Sequence, residues 1–173
     1  MMTEQVARRT GWRIPTALIA LACLAMPGAL AVGIPLSTPV QAADQTPPYW
    51  ASINRARAIM RAGPASEMRA LWEYRRMGLP LRVLAVRDEW RQVQDPDGVV
   101  GWMHKRLLTG RRSAIVTGTG PQAMRTAAAA DAPIAWRPQP GVVGWLSDCG
   151  NGWCMLDVDG RSGWISTDAI WGD

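Results

Sequence analysis

The chain repeats itself. Gly78 and Gly141 are each followed twelve residues later by a tryptophan, Trp90 and Trp153, at a constant offset of 63. Leu79 with Val142 and Val83 with Leu146 keep that offset. One residue is then lost, and Asp97-Gly98, Gly101 and Trp102 match Asp159-Gly160, Gly163 and Trp164 at offset 62, followed by Met103 with Ile165 and Leu108 with Ile170. Upstream, Met60-Arg61 and Met124-Arg125 match at offset 64. The offsets change where loops tolerate a change of length. Self-similarity at a fixed period marks a unit that is built more than once, so we divide the chain into an export segment over 1–42 and two modules over 43–112 and 113–173. Units this short bury only about 60% of their unfolded surface, a size that excludes most metabolic-enzyme scaffolds.

Within a module the pattern is that of short strands. Leu81 to Val86 is apolar and β-rich, Trp90-Arg91-Gln92-Val93 alternates, and Asp97-Gly98 precedes Val99-Val100-Gly101-Trp102. An Asp-Gly pair supplies the positive φ angles of a tight hairpin. The 17 Gly and 13 Pro of the chain, with 10 Trp at intervals, suit many strands and turns. The fold class is therefore all-β. Met103 to Leu108 is too short for a packed helix and reads as one 3₁₀ turn before a last strand. Residues 65–77 have helical composition, with Met68, Leu71 and Trp72 spaced for one face; we read them as an extended first hairpin loop, with a short helix as the alternative.

Before the modules, Arg8, Arg9 and Arg13 precede an uncharged apolar run from Ile14 to Leu36. That is the layout of an export signal, and Val40-Gln41-Ala42 places cleavage after Ala42. An uncleaved anchor, or a lipid on Cys23, are the alternatives. Cleavage leaves 16 basic and 13 acidic residues, and only Cys149 and Cys154 of the three cysteines. In an oxidising compartment this pair, separated by Gly150-Asn151-Gly152-Trp153, reads as a disulfide across a hairpin.

Several of these segments resemble a known family. Asn54 through Pro64, Gly78-Leu79-Pro80, Trp90, Asp97-Gly98 and Gly101-Trp102 through Leu108 are similar to the bacterial SH3 (SH3b) domain, in the exported tandem form of envelope proteins. Gly152-Trp153-Cys154, Gly163-Trp164 and Trp171-Gly172 resemble a divergent second copy. Where such domains begin with an Asn-x-Arg-x-Gly-Pro stretch, this chain has Ala58-Ile59-Met60-Arg61-Ala62-Gly63-Pro64. The resemblance implies two small SH3-like β-barrels in tandem that bind peptide or cell-wall glycopeptide and perform no chemistry.

The ligand candidates are Tyr49, Trp50, Arg61, Trp72, Tyr74, Trp90 and Trp153. Trp90 and Trp153 start a strand beside a polar loop, where SH3-like folds place a groove aromatic, and serve core or groove equally well. Tyr49, Trp50, Trp72 and Tyr74 lie outside the apolar pattern and would make an aromatic surface if exposed together. Trp102 and Trp164 read as core anchors, because small modules need every large side chain they can bury.

Catalytic hardware is sparse. Asp148-Cys149-Gly150 looks superficially like a cysteine-peptidase nucleophile segment, but such an enzyme needs a His base, and none follows Cys149; the single His104 lies in the other module. Two Cys and one distant His do not make a zinc site, so no metal or other cofactor is expected. Asp88, Glu89, Asp95 and Asp97 crowd one region and would be the carboxylates of a small hydrolase, or simply solvated turn residues. The first module carries 13 basic and 7 acidic residues, the second 3 and 6, so opposite charges favour packing of the modules on each other. The expectation is an exported, periplasmic, non-enzymatic adaptor that recognises peptidoglycan or an envelope protein, not nucleic acid. Structural self-association and a small cell-wall hydrolase are the alternatives.

Overall fold

The computed structural model describes residues 45–173; the stretch 1–42 read from the sequence as an export signal, and Cys23 with it, lies outside them. The first copy contains β1 (Tyr49–Ile53), β2 (Ala58–Arg61), β3 (Ala70–Tyr74), β4 (Pro80–Arg87), β5 (Trp90–Gln94), β6 (Val100–His104) and β7 (Leu108–Thr109). The second contains β8 (Ser113–Val116), β9 (Met124–Arg125), β10 (Ile134–Trp136), β11 (Val143–Gly150), β12 (Trp153–Val158), β13 (Arg161–Ser166) and β14 (Ile170–Trp171). The first sheet runs β3-β2-β6-β5-β4-β1-β7 and the second β10-β9-β13-β12-β11-β8-β14, the same order with every strand replaced by its repeat equivalent. The fold is all-β, as read from the sequence.

Repeat-equivalent bonds confirm the register. Ile53 N–H donates to the Leu79 carbonyl at 3.0 Å, and Val116 N–H to that of Val142 at 2.8 Å. The 3₁₀ turn and short last strand also hold, at Lys105–Leu107 before β7 and Thr167–Ala169 before β14. Each copy has its own core. Ile53, Met60, Leu81, Val83, Val93 and Met103 are fully buried in the first, and Val116, Met124, Leu156 and Ile165 in the second.

Three expectations need correction. Residues 65–77 are neither one long loop nor a helix: Ala70–Tyr74 is a strand that pairs Trp72 with Met60 and Tyr74 with Ala58. It lies at the sheet edge, where little of it is buried, so its apolar residues do not show the period-2 pattern of a half-buried strand. Trp102 and Trp164 are not core anchors. On β6 and β13 the buried residues are Gly101, Met103, Gly163 and Ile165, and alternation turns both tryptophans to the outer face. The two Asp-Gly turns also differ. Asp159 and Gly160 both have positive φ, at 52° and 85°, whereas in the first copy only Gly98 does. There the loop is organised by Asp95, whose carboxylate accepts from the backbone N–H groups of Asp97 and Val99 and from the Tyr74 hydroxyl.

Cys149 and Cys154 form the disulfide, directly opposite each other on β11 and β12. The same cross-strand position in the first copy holds Val86 and Arg91. Arg91 is only 4% exposed. Its guanidinium donates to the carbonyls of Asp88 and Trp90 and to the Tyr49 hydroxyl, bracing the equivalent hairpin without a covalent bond. Closing so short a loop contributes about 2 kcal/mol in the chain-entropy model. Reduction should therefore lower the thermal midpoint without abolishing the fold; melts with and without reductant, beside Cys149→Ser/Cys154→Ser, test this, and an unchanged midpoint would refute it.

The copies also pack on each other. Ile115 and Val143, opposite each other on β8 and β11, rest against the first copy's core. The hydroxyls of Ser52 and Ser113, both buried, are 2.6 Å apart, and Ser52 donates to the Arg111 carbonyl. Trp50 meets Trp171 edge to face at 4.6 Å. Gly172 closes the contact at φ 128°, and a Cβ there would strike the Ser113 carbonyl and Pro80, so only glycine fits.

Candidate functional site

The outer face of β5 and β6 carries a groove of about 170 Å³ in the first copy. Because alternation sends Arg91 and Val93 inward, Trp90 and its cross-strand partner His104 face outward together. Their rings meet at 5.3 Å and 64°. Arg57, Ile59, Arg61, Ser66, Arg106 and Leu107 complete the lining. No carboxylate is among the lining residues, which makes the groove basic as well as aromatic.

The 3₁₀ turn fixes the imidazole. Nδ1 of His104 accepts from the Arg106 N–H at 3.2 Å, so the neutral ring carries its proton on Nε2. Partial burial, and then the Arg106 charge, push the His104 pKa below its ordinary value and favour the neutral ring. Two of the arginines are held in place. Arg57 pairs with Glu73 at 2.6 Å, and Arg61 donates to the Met68 carbonyl at 2.8 Å. Beside the groove Lys105 pairs with Glu89 at 2.9 Å and holds its carboxyl below the usual range.

The second copy keeps the frame of this groove and loses its chemistry. Trp153 stands opposite Ser166, whose hydroxyl takes over the capping bond by accepting from the Asp168 N–H. Arg125 repeats the Arg61 brace, donating to the Ala132 carbonyl. Counting along the repeat from Met60 and Met124, Arg57 becomes Pro121, and from Met103 and Ile165, Arg106 becomes Asp168.

The seven sequence candidates do not converge. Trp90 and Arg61 line the groove, and Trp153 takes the equivalent place in the other copy. Trp50 is engaged by Trp171. Two open clefts of about 480 and 320 Å³ flank Trp50 and Tyr49, with Arg112 on one side and Arg82 and Asp173 on the other. Tyr49 accepts the Arg91 bond. Tyr74 is half-buried on Asp95, and burial, reinforced by that carboxylate, raises its pKa and keeps the phenol protonated. Trp72, 57% exposed, shares the edge strand with Tyr74 and does not line the groove. Sequence reasoning missed His104 and Arg106 as groove residues. Their signal was present, because the Trp90 strand and the Gly101-Trp102 strand form a hairpin whose outer faces must meet.

Three of the four hydrolase candidates have structural occupations. Asp95 is 5% exposed and holds its loop, Glu89 is in its ion pair, and Asp88 takes the positive-φ turn position at 50°.

Two stretches of the sequence, 54–110 and 119–172, match the bacterial SH3 domain family. No curated protein matches the chain. Among solved structures it is similar to NlpC2 and NlpC1 from Trichomonas vaginalis, each 12% identical with a TM-score of 0.33, over 73% and 75% of this chain and 48% of each of theirs. It is also similar to a Listeria monocytogenes protein described as an autolysin, 14% identical with a TM-score of 0.28, over 72% of this chain and 62% of that one. The chain thus spans about half the length of the two Trichomonas proteins. Since the two matched stretches make up most of the sequence and carry one strand order twice, the chain belongs to the bacterial SH3 domain family.

Proposed function

We propose that the chain is a non-catalytic binding module of the bacterial cell envelope, exported to an oxidising compartment. In this reading the first copy recognises wall glycopeptide, or a peptide of an envelope partner, through the Trp90–His104 groove. The observation that carries it is the pairing of these two rings in a groove that also holds three arginines and no carboxylate. A flat aromatic face next to fixed donors is the composition of a recognition surface. Bacterial SH3 domains are generally wall-binding modules, and the disulfide suits export. The absence of chemistry is part of the proposal, and the structural occupations of Asp88, Glu89 and Asp95 support it.

Retention on purified peptidoglycan sacculi tests the reading, beside capture of envelope proteins by the same immobilised chain. Truncating a central aromatic anchor costs about 2 kcal/mol or more. Trp90→Ala should therefore weaken retention by more than tenfold and Trp153→Ala much less. Equal retention of wild type and Trp90→Ala, or binding to neither material, would remove the proposal.

A further inference from the structure

The duplication contains its own control experiment. Both copies have the tryptophan, the arginine that braces the first hairpin loop, and the capped 3₁₀ turn. Only the first surrounds its tryptophan with cations. The groove has three arginines, and the second copy replaces two of them with Pro121 and Asp168.

From this difference we infer that the groove of the first copy takes a free carboxylate of a peptide, with Trp90 and His104 against the neighbouring residue, while the second copy has given up ligand binding and serves as a structural partner. The inference rests on the binding function proposed above and names its ligand chemistry. A guanidinium offers five donors in a fixed fork that suits a carboxylate. Arg57 and Arg61 each give part of that fork to Glu73 and to the Met68 carbonyl, which fixes the positions of both groups in advance. Arg106 forms no ion pair among the described residues. Such preorganisation reduces the ordering cost of binding. His104 adds a donor at Nε2 while its ring meets Trp90 in a T-shaped contact. In the second copy Asp168 would repel the same carboxylate, and Ser166 offers no ring. The junction with the first copy instead occupies Ile115, Val143 and Trp171.

The test is a nuclear magnetic resonance titration of the purified protein with acetyl-Ala-Ala, once as the free acid and once as its C-terminal amide. The free acid should shift the Trp90 indole and His104 ring signals at a concentration about tenfold lower than the amide, the ratio set by one charge-assisted contact. The Trp153 indole should stay unmoved. Arg57→Gln/Arg106→Gln should abolish the preference, and its unchanged spectrum elsewhere would show that the fold is kept. Equal response to acid and amide, no response to the acid, or a response centred on Trp153 would overturn the inference. Retention on sacculi that depends on Trp90, combined with equal response to acid and amide, would leave the groove standing and remove only its carboxylate. Acid preference without retention on sacculi would do the reverse.

Discussion

Val143→Asp should lower the unfolding midpoint of the whole protein by about 10 °C or more, in a single transition. Val143 belongs to the second copy by its strand, yet it packs with Ile115 on the core of the first. Val143 is partly buried, so a carboxylate at that position would lose part of its hydration against the apolar core of the first copy, at a cost of about 3 kcal/mol. In a domain of this size each kcal/mol moves the midpoint by roughly 2 to 8 °C. The single transition is the sharper part of the expectation. If the junction couples the copies, damage at one residue removes stability from both, and the Ser52–Ser113 pair and the Trp50–Trp171 contact are lost in the same step. Differential scanning calorimetry reads both quantities. Val143→Ala, which removes apolar contact without adding charge, provides a milder variant should the aspartate fail to fold. Two separate transitions, or a first copy that melts unchanged, would show that the copies are independent.

Asp95→Ala should be nearly as damaging, at about 2–4 kcal/mol. The carboxylate accepts from the Tyr74 hydroxyl at 2.8 Å and from the N–H groups of Asp97 and Val99 at 3.1 and 2.8 Å. Removing it strips three donors of their acceptor at once, and bonds to a charged acceptor contribute more than neutral ones. Asp95→Asn keeps an acceptor oxygen and should recover part of the loss, which separates the hydrogen bonds from the volume of the side chain. Urea unfolding measures the difference. A change below about 0.5 kcal/mol, the level of ordinary surface substitutions, would mean that the loop holds itself.

The repeat was legible because it is written in residues that the fold uses twice at equivalent positions. Gly78 and Gly141 occupy the same positive-φ position before a long strand, and Met60 and Met124 the same place in two cores. The edge strand Ala70–Tyr74 was not legible. Its partner lies on one side only, and its apolar spacing at 68, 71 and 72 imitates a helix. The tryptophans at 102 and 164 were misread for a different reason. Hydrophobicity argued for burial, while the alternation of Gly101, Trp102 and Met103 argued for an outer face, and alternation won because the neighbouring methionine fills the interior. For the candidate site, Trp90 and Arg61 could be nominated from the sequence. Of their company, His104 and Arg106 follow from the hairpin that Trp90 shares with the Gly101-Trp102 strand, whereas Arg57 could not be placed, since it comes from the bend ahead of β2. The use of Trp50 was equally hidden, because its partner Trp171 is 121 residues away.

The cross-strand position held by Arg91 in one copy and by a cysteine in the other distributes chemical vulnerability unequally. Thiol exchange can open the second hairpin, but it has nothing to attack in the first, where the same job is done by hydrogen bonds from a buried guanidinium. The basic groove sits on the copy that no reductant can loosen directly. A shift in the redox poise of its surroundings would reach that groove only second-hand, as support withdrawn across the junction, while the rings of Trp90 and His104 stay seated on a hairpin that has no redox state.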